Sequence, residues 1–203
     1  MEGTSRIKNS KIWEVPLFTF ERNCRICIQA ESGGGKSSLL SFIFGQRHDY
    51  SGDIFFDNQN IKDLNIKNWC NIRRNNIALL PQEMRLFPEL TVLENISLKN
   101  DLTQHKSPEE IEKMLSLLGL LEKKDTLTAK LSIGQQQRVA IIRSLCQPFD
   151  FIFLDEPVSH LDEANNRIVA QLIEREAEKN DAGIITTSVG NNLLLENPKF
   201  INL

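Results

Sequence analysis

The residues with the clearest chemical capacity are Ala30-Glu31-Ser32-Gly33-Gly34-Gly35-Lys36-Ser37-Ser38. Ahead of them, the apolar run Ile26 to Gln29 reads as a strand. Behind them, Lys36 to Phe44 reads as a helix, with Leu39, Leu40 and Ile43 on its apolar side. A strand, a glycine-rich turn and a helix start are the parts needed to hold a polyphosphate. Glycines let successive backbone N–H groups turn inward, and the first helical turn adds its positive dipole end. Ser32, Gly33, Gly34 and Gly35 supply the turn, Lys36 can reach β- and γ-phosphates, and the Ser37 hydroxyl can ligate Mg²⁺. The spacing departs from G-x-x-x-x-G-K-[ST] at its first glycine, which is Ala30. An alanine held in left-handed geometry there would cost about 1–2 kcal/mol. A flexible turn with one exposed lysine is the plain alternative, and the flanking strand and helix weigh against it.

A second chemical cluster is Asp150-Phe151-Ile152-Phe153-Leu154-Asp155-Glu156. Its apolar strand delivers Asp155 to the carboxyl end, where a phosphate-bound Mg²⁺ can be held through water. Glu156 follows at once and can orient or deprotonate an attacking water. In isolation two carboxylates at a strand end would read as a solvated cap. With the glycine loop upstream they read as a catalytic pair.

These groups need a scaffold, and the alternation of short apolar runs with helical patterns predicts an α/β fold throughout. Ile54 to Phe56 reads as a strand closed by the turn Asp57-Asn58-Gln59, and Ile77 to Leu80 as another ending at Pro81. From Glu83 to Lys130 the character changes. Pro88 and Pro108 punctuate the segment, and Glu109 to Leu118 is helical, with Ile111, Met114, Leu115 and Leu118 on neighbouring faces. Residues 83–130 therefore read as a helical lobe inserted in the core. After Ser132, Gly134 to Leu145 is a helix, Phe151 to Leu154 a strand, Ala164 to Lys179 a long helix and Ile184 to Thr187 the final strand. No repeat, low-complexity tract or long linker divides residues 1–203, so a single domain is expected.

Composition narrows the function classes. With 27 acidic against 24 basic side chains, a net charge of −3 argues against coating nucleic acid by bulk electrostatics. No apolar run approaches the roughly 18 residues of a membrane span, and Met1 to Lys11 is polar, without a signal segment. Cys24, Cys27, Cys70 and Cys146 form no paired metal pattern. Cys24 and Cys27, placed on a strand, would face opposite sides, which leaves reduced thiols as the reading.

With these motifs in place, the sequence resembles the ABC ATPase family from about Trp13 to Val189. The specific element is Leu131-Ser132-Ile133-Gly134-Gln135-Gln136-Gln137-Arg138, similar to the family signature and placed ahead of the Asp155 strand. Gln82 resembles the Q-loop glutamine, and Ser159-His160-Leu161-Asp162 the D-loop with Asp162 as its carboxylate. The pattern Gln135 to Ala140 is similar to the compact exporter-type ATPases of lipoprotein or macrolide handling and to cell-division-linked members. The resemblance implies a P-loop NTPase core of the ABC type with an inserted helical lobe. It also implies a head-to-tail pair, homodimeric or heterodimeric, with ATP and Mg²⁺ between one chain's P-loop and the other's signature. Ser38 would lie near the α-phosphate, and Ser132, capping the signature helix, would reach with Gly134 and Gln135 toward the partner's nucleotide. Gln82 would sense Mg²⁺ and water, and Glu83 to Leu98 would lie near an integral membrane permease. The setting implied is cytoplasmic, at the inner face of the plasma membrane, with no nucleic acid partner.

Departures from the family pattern bear on catalysis. Ile133 stands where the family has glycine, adding bulk near the nucleotide. Ser188 stands at the switch-histidine position, and none of the three histidines lies in that segment. Trp13 is the nearest large aromatic for stacking on adenine, and its place suits a strand position equally. A catalytically weak or regulatory nucleotide-binding domain is thus an alternative. An ABC ATPase acting on nucleic acid lacks its usual zinc or coiled-coil modules, and an unrelated P-loop phosphotransferase leaves the signature octet unexplained.

Overall fold

Apolar runs too short for helices bury best as parallel strands covered on both faces, and they set the architecture. The computed structural model describes residues 17–203, so Trp13 lies outside the described residues. Strand β1 (Arg25–Gln29) is followed by helix α1 (Lys36–Ile43), a small hairpin of β2 (Phe55–Phe56) and β3 (Gln59–Asn60), helix α2 (Ile66–Asn75) and β4 (Ile77–Leu80). Helices α3 (Val92–Asn100), α4 (Pro108–Leu117) and α5 (Ile133–Leu145) come next. The chain closes with β5 (Phe151–Asp155), α6 (Glu163–Lys179), β6 (Gly183–Ser188) and β7 (Lys199–Asn202). The main sheet has the order β4-β5-β6-β1-β7, and its neighbours all pair in parallel.

Alternation along the strands divides the core in two. Ile152, Leu154 and Ile184 face a layer built from α5 and α6, including Ile141, Leu145, Val169 and Ile173. Phe153 and Ile185 face the opposite layer with Leu39, Leu40, Phe44 and Trp69 from the α1 and α2 side. Register matters for the site. Asp155 lies opposite Thr187 and Gln29 opposite Ser188, so the carboxyl ends of β1, β5 and β6 finish at one level.

The structure departs from the sequence reading at β7 and at α2. Ile184 to Thr187 is not the final strand, because β7 returns to pair in parallel with β1 at the sheet edge. Helix α2 carries a single buried residue, Trp69, and so lacks the apolar stripe that announces a helix. It is capped by Asn65 and anchored where the Trp69 ring seats over Gly45, with the Arg73 guanidinium 4.7 Å from the ring centroid. A β-carbon on Gly45 would fall 2.3 Å from that ring.

Between β4 and α5 lies the helical lobe. Capping boxes start α3 (Thr91 with Glu94) and α4 (Ser107 with Glu110, followed by Pro108). The fully buried Asn95 ties the lobe together, donating to the carbonyls of Phe87, Leu90 and Thr91 and to Thr128 Oγ1. One buried ion pair bolts the lobe to the core. Lys106, just before α4, meets Glu176 on α6, each side chain 5% exposed, and Lys179 also reaches Glu176. Burial pushes the Glu176 pKa up, but hydrogen bonds from Lys106 and Lys179 outweigh it and leave the carboxyl below its ordinary range. A depressed carboxyl pKa stabilises the fold above the unfolded pKa, and that stabilisation is lost as pH falls through the folded value. Lys106→Met is expected to cost about 2 kcal/mol at neutral pH, the loss of one hydrogen bond to a charged group, because the buried Glu176 carboxylate is then left to the half-exposed Lys179. In denaturant titrations the gap from wild type should narrow on acidification, and a gap independent of pH would contradict the role given to this pair.

The thiols are free: Cys27 and Cys146 are buried, Cys24 partly so, and Cys70 is exposed. Cys24 precedes β1 rather than lying within it. Burial raises the Cys146 thiol to about 12 and the Cys24 thiol to about 11, which disfavours the reactive thiolate.

Candidate nucleotide site

Open parallel sheets bind ligands beyond the carboxyl ends of their strands, and here β1, β5 and β6 converge on one point. From β1 the chain enters the glycine loop, where Gly33 (φ 78°) and Gly35 (φ 92°) take left-handed geometry. Gly35 occupies the N-cap of α1 and no side chain bonds the first-turn amides. A phosphate can therefore take the place of a capping side chain. The Lys36 side chain is 5% exposed, donating from Nζ to the carbonyls of Ala30 (3.0 Å) and Glu31 (3.1 Å).

Ala30 corrects one expectation. It is not among the residues of positive φ, so the anticipated left-handed strain is not present. Its side chain instead sets the packing of the loop, since a β-carbon on Gly34 would lie 2.8 Å from the Ala30 β-carbon.

The carboxylates arrive from β5. Asp155 is buried and its Oδ1 accepts a hydrogen bond from Thr187 Oγ1 at 2.5 Å. Glu156 turns out of the strand with φ 50°. Its Oε1 lies 3.8 Å from Lys36 Nζ, and its Oε2 accepts from Gln82 Nε2 at 3.4 Å. Lys36, Gln82, Asp155 and Glu156, read from separate segments, thus meet at one place. The exposed Ser37 stands on the first turn of α1 beside them. Hard oxygen donors of this kind, Asp155 carboxylate, Ser37 hydroxyl and Gln82 amide, fit a Mg²⁺ that receives its remaining ligands from phosphates and water.

Other candidates are placed differently. Ser32 is exposed in the loop. Ser38 Oγ accepts from Arg47 Nη1 at 2.9 Å. Ser132 and Gln135 form a reciprocal capping box at the start of α5, with Ser132 Oγ accepting from the Gln135 amide at 3.3 Å and Gln135 Oε1 from the Ser132 amide at 3.0 Å. Within the chain the glycine requirement falls on Gly134, whose added β-carbon would sit 2.8 Å from the His160 carbonyl. Ile133 is 48% exposed and meets no such restriction. Asp162 is the N-cap of α6 and accepts from the Asn165 amide at 2.8 Å and from its side chain, and those bonds hold its carboxyl below the usual range. Ser188 is buried, its Oγ accepting from the Gly190 amide at 3.1 Å.

Two residues of the site, Thr187 and Gln137, gave no functional signal in the sequence. Thr187 was legible only as part of a strand and Gln137 only as part of the signature helix, because their contacts exist only once β5, β6 and α5 have packed.

A glycine loop between strand and helix, paired carboxylates at the end of β5 with β6 between it and β1, and an inserted helical subdomain define a P-loop ATPase with a RecA-like core. The ABC transporter family matches residues 16–159. The chain is 37% identical over 168 residues to the probable ABC transporter ATP-binding protein PEB1C of Campylobacter jejuni, covering 80% of this chain and 68% of that protein. It is 33% identical over 190 residues to the lipoprotein-releasing system ATP-binding protein LolD of Legionella pneumophila, covering 92% and 82%. Among solved structures, the dimeric bacterial ABC transporter cassette MJ0796 superposes with a TM-score of 0.79 at 27% identity, covering 91% of this chain and 84% of that one. A second MJ0796 structure, bound to ADP and Pi, gives 0.75 at 28% identity, covering 86% and 78%. The chain belongs to the ABC transporter family, as an ATP-binding subunit with an ABC-type ATPase domain. The relatives do not single out one subgroup.

Proposed function

We propose that this subunit binds Mg²⁺ and ATP through Ser32 to Ser38 and couples slow hydrolysis to movement of an integral membrane permease. The observation that carries this is the meeting of Lys36, Gln82 and Glu156 at the ends of β1, β4 and β5. Loop amides and Lys36 would hold the phosphates. Ser37, Asp155 and Gln82 would hold Mg²⁺, which supplies charge neutralisation on the phosphate oxygens. Glu156 would take a proton from water as the water oxygen bonds to the γ-phosphorus. The bond to the bridging oxygen breaks, ADP leaves with the electron pair, and the proton passes on to the released phosphate. Ser188 offers a hydroxyl where the family has an imidazole, which is the reason to expect slow turnover.

In a head-to-tail pair, Ser132, Gly134 and Gln135 would approach the partner's nucleotide through the N-terminus of α5, with Asp162 on the D-loop, while Ser38 would lie near the α-phosphate held by its own glycine loop. Whether that partner is a second copy or another ATPase subunit decides how Ile133 and Ser188 are distributed between the two sites. The compact exporter-type subgroup of lipoprotein or macrolide handling, with the cell-division-linked members, is the finer assignment, and the pattern Gln135 to Ala140 is what supports it.

For the permease, the candidate seat is a groove of about 240 Å³ between β4, α3 and α5, lined by Leu79, Leu80, Phe87, Leu98, Lys99 and Arg143. Phe87 and Leu98 are 53% and 46% exposed. Burial, together with the nearby cations Arg143 and Arg74, holds Lys99 below the usual lysine range. An incoming segment with an apolar face and a carboxylate would satisfy both features. Among the described residues no helix is long and apolar enough to cross a membrane, and the permease partner would hold the subunit at the inner face of the plasma membrane. A photoreactive residue at position 98 is expected to crosslink, in native membranes, to a polypeptide with membrane spans. The same experiment with Lys99→Glu should give less product. Crosslinks to water-soluble partners only would remove the permease from this groove.

A further inference from the structure

The backbone of Glu156 is gripped from both sides by side chains that the hydrolytic reading above leaves without a role. Its φ of 50° is a left-handed conformation that an L-residue with a long side chain keeps only when its surroundings enforce it. Thr187, 1% exposed on β6, lies opposite Asp155 in the sheet register. Its Oγ1 donates to Asp155 Oδ1 at 2.5 Å and accepts from the Glu156 N–H at 3.1 Å. Gln137, 2% exposed on α5, donates from Nε2 to the Glu156 carbonyl at 3.2 Å. Gln137 is itself immobilised, because Nε2 also donates to Ser159 Oγ at 3.2 Å and Oε1 accepts from the His160 N–H at 3.1 Å. Side chains thus reach both polar groups of the Glu156 backbone, one from the sheet and one from the signature helix, and the carbonyl also accepts a longer bond from the Ser159 amide at 3.4 Å.

We propose that Thr187 and Gln137 are positioning residues, a two-sided clamp that keeps Glu156 in its left-handed turn and so aims its carboxylate at the reacting water. The physical reason is leverage. Relaxation of the turn to ordinary geometry would swing the side chain away from Lys36 and Gln82, which its two oxygens approach at 3.8 and 3.4 Å. Phosphoryl transfer is sensitive to misplacement on that scale: about 1 Å can cost roughly 100-fold. The bond from the same hydroxyl to Asp155 holds the Thr187 side chain in the orientation that receives the Glu156 amide.

This inference rests on the catalytic reading of Glu156, and the experiment separates the two. Single-turnover phosphate release is measured with the chain in excess over Mg·ATP, first for wild type and Glu156→Gln. Thr187→Val is then expected to slow release about 10- to 100-fold while ATP affinity by calorimetry stays close to wild type, which also shows that the variant is folded. Thr187→Ser, which keeps the hydroxyl, should restore most of the rate. Gln137→Leu should resemble Thr187→Val and carries the test if that variant does not fold. Added to Glu156→Gln, either substitution should cause no further loss, since groups that act through one carboxylate are not additive. Thr187→Val at the wild-type rate, with Glu156→Gln slow, would overturn the clamp alone, as would losses that multiply in the Glu156→Gln background. Equal release from wild type and Glu156→Gln would remove Glu156 from the chemistry and the clamp with it.

Discussion

Lys36→Ala is expected to weaken Mg·ATP binding by about 100-fold or more in calorimetry. A charge-assisted hydrogen bond contributes about 1.5–3 kcal/mol, and each 1.4 kcal/mol is about tenfold in affinity. One or two such bonds from the Lys36 ammonium to phosphate oxygens account for the effect. The ammonium is well placed to make them. Its side chain is 5% exposed, and it bonds to the loop carbonyls of Ala30 and Glu31, so little freedom is lost when a phosphate arrives. Those same bonds mean that the variant could also loosen the loop. Thermal unfolding of the variant, measured alongside, separates a lost contact from a lost fold. A correctly folded Lys36→Ala with wild-type affinity would show that the glycine loop does not hold the triphosphate.

Glu156→Gln is expected to slow single-turnover phosphate release by about 10²- to 10⁴-fold, the range supplied by a positioned general base. Binding should survive, because the amide removes a proton acceptor without removing the loop amides, Lys36 or Asp155. It also removes a carboxylate 3.8 Å from Lys36 Nζ, leaving that cation freer to face phosphate. The wild-type rate for the chain alone should itself be low, with Ser188 buried and bonded to the Gly190 amide in place of an imidazole. Ile133 is 48% exposed at the start of α5, where a partner's nucleotide would approach. Measurement of both forms alone and within the membrane complex distinguishes the cases. Rapid turnover of the isolated wild type would show that neither Ser188 nor Ile133 impedes the chemistry. Equal release from both forms in both settings would end the catalytic assignment of Glu156.

The sequence by itself determined the parts whose signals are local. Gly33 to Lys36 between an apolar strand and a helix, the run Phe151 to Leu154 ahead of two carboxylates, and Ser132 followed by Gln135 are each written in neighbouring residues. Dihedral freedom, strand burial and helix capping act over only a few positions. The helical lobe was legible as a change of character between Glu83 and Lys130, though α3 was not, because Asn95 and its bonds to the surrounding loop replace part of an apolar stripe. What only the tertiary structure decided are relations between distant segments. β7 is a short strand with one buried residue, recognisable only by its pairing with β1. Ala30 escapes the strain expected of it because the loop places its left-handed turns at Gly33 and Gly35. Gln82 reaches Glu156 across 74 residues, and Thr187 and Gln137 reach the same residue across 31 and 19. No periodicity or propensity encodes such contacts. They arise when parallel strands align their carboxyl ends and α5 packs across them, because hydrogen bonds of fixed length are set by the packing of whole elements.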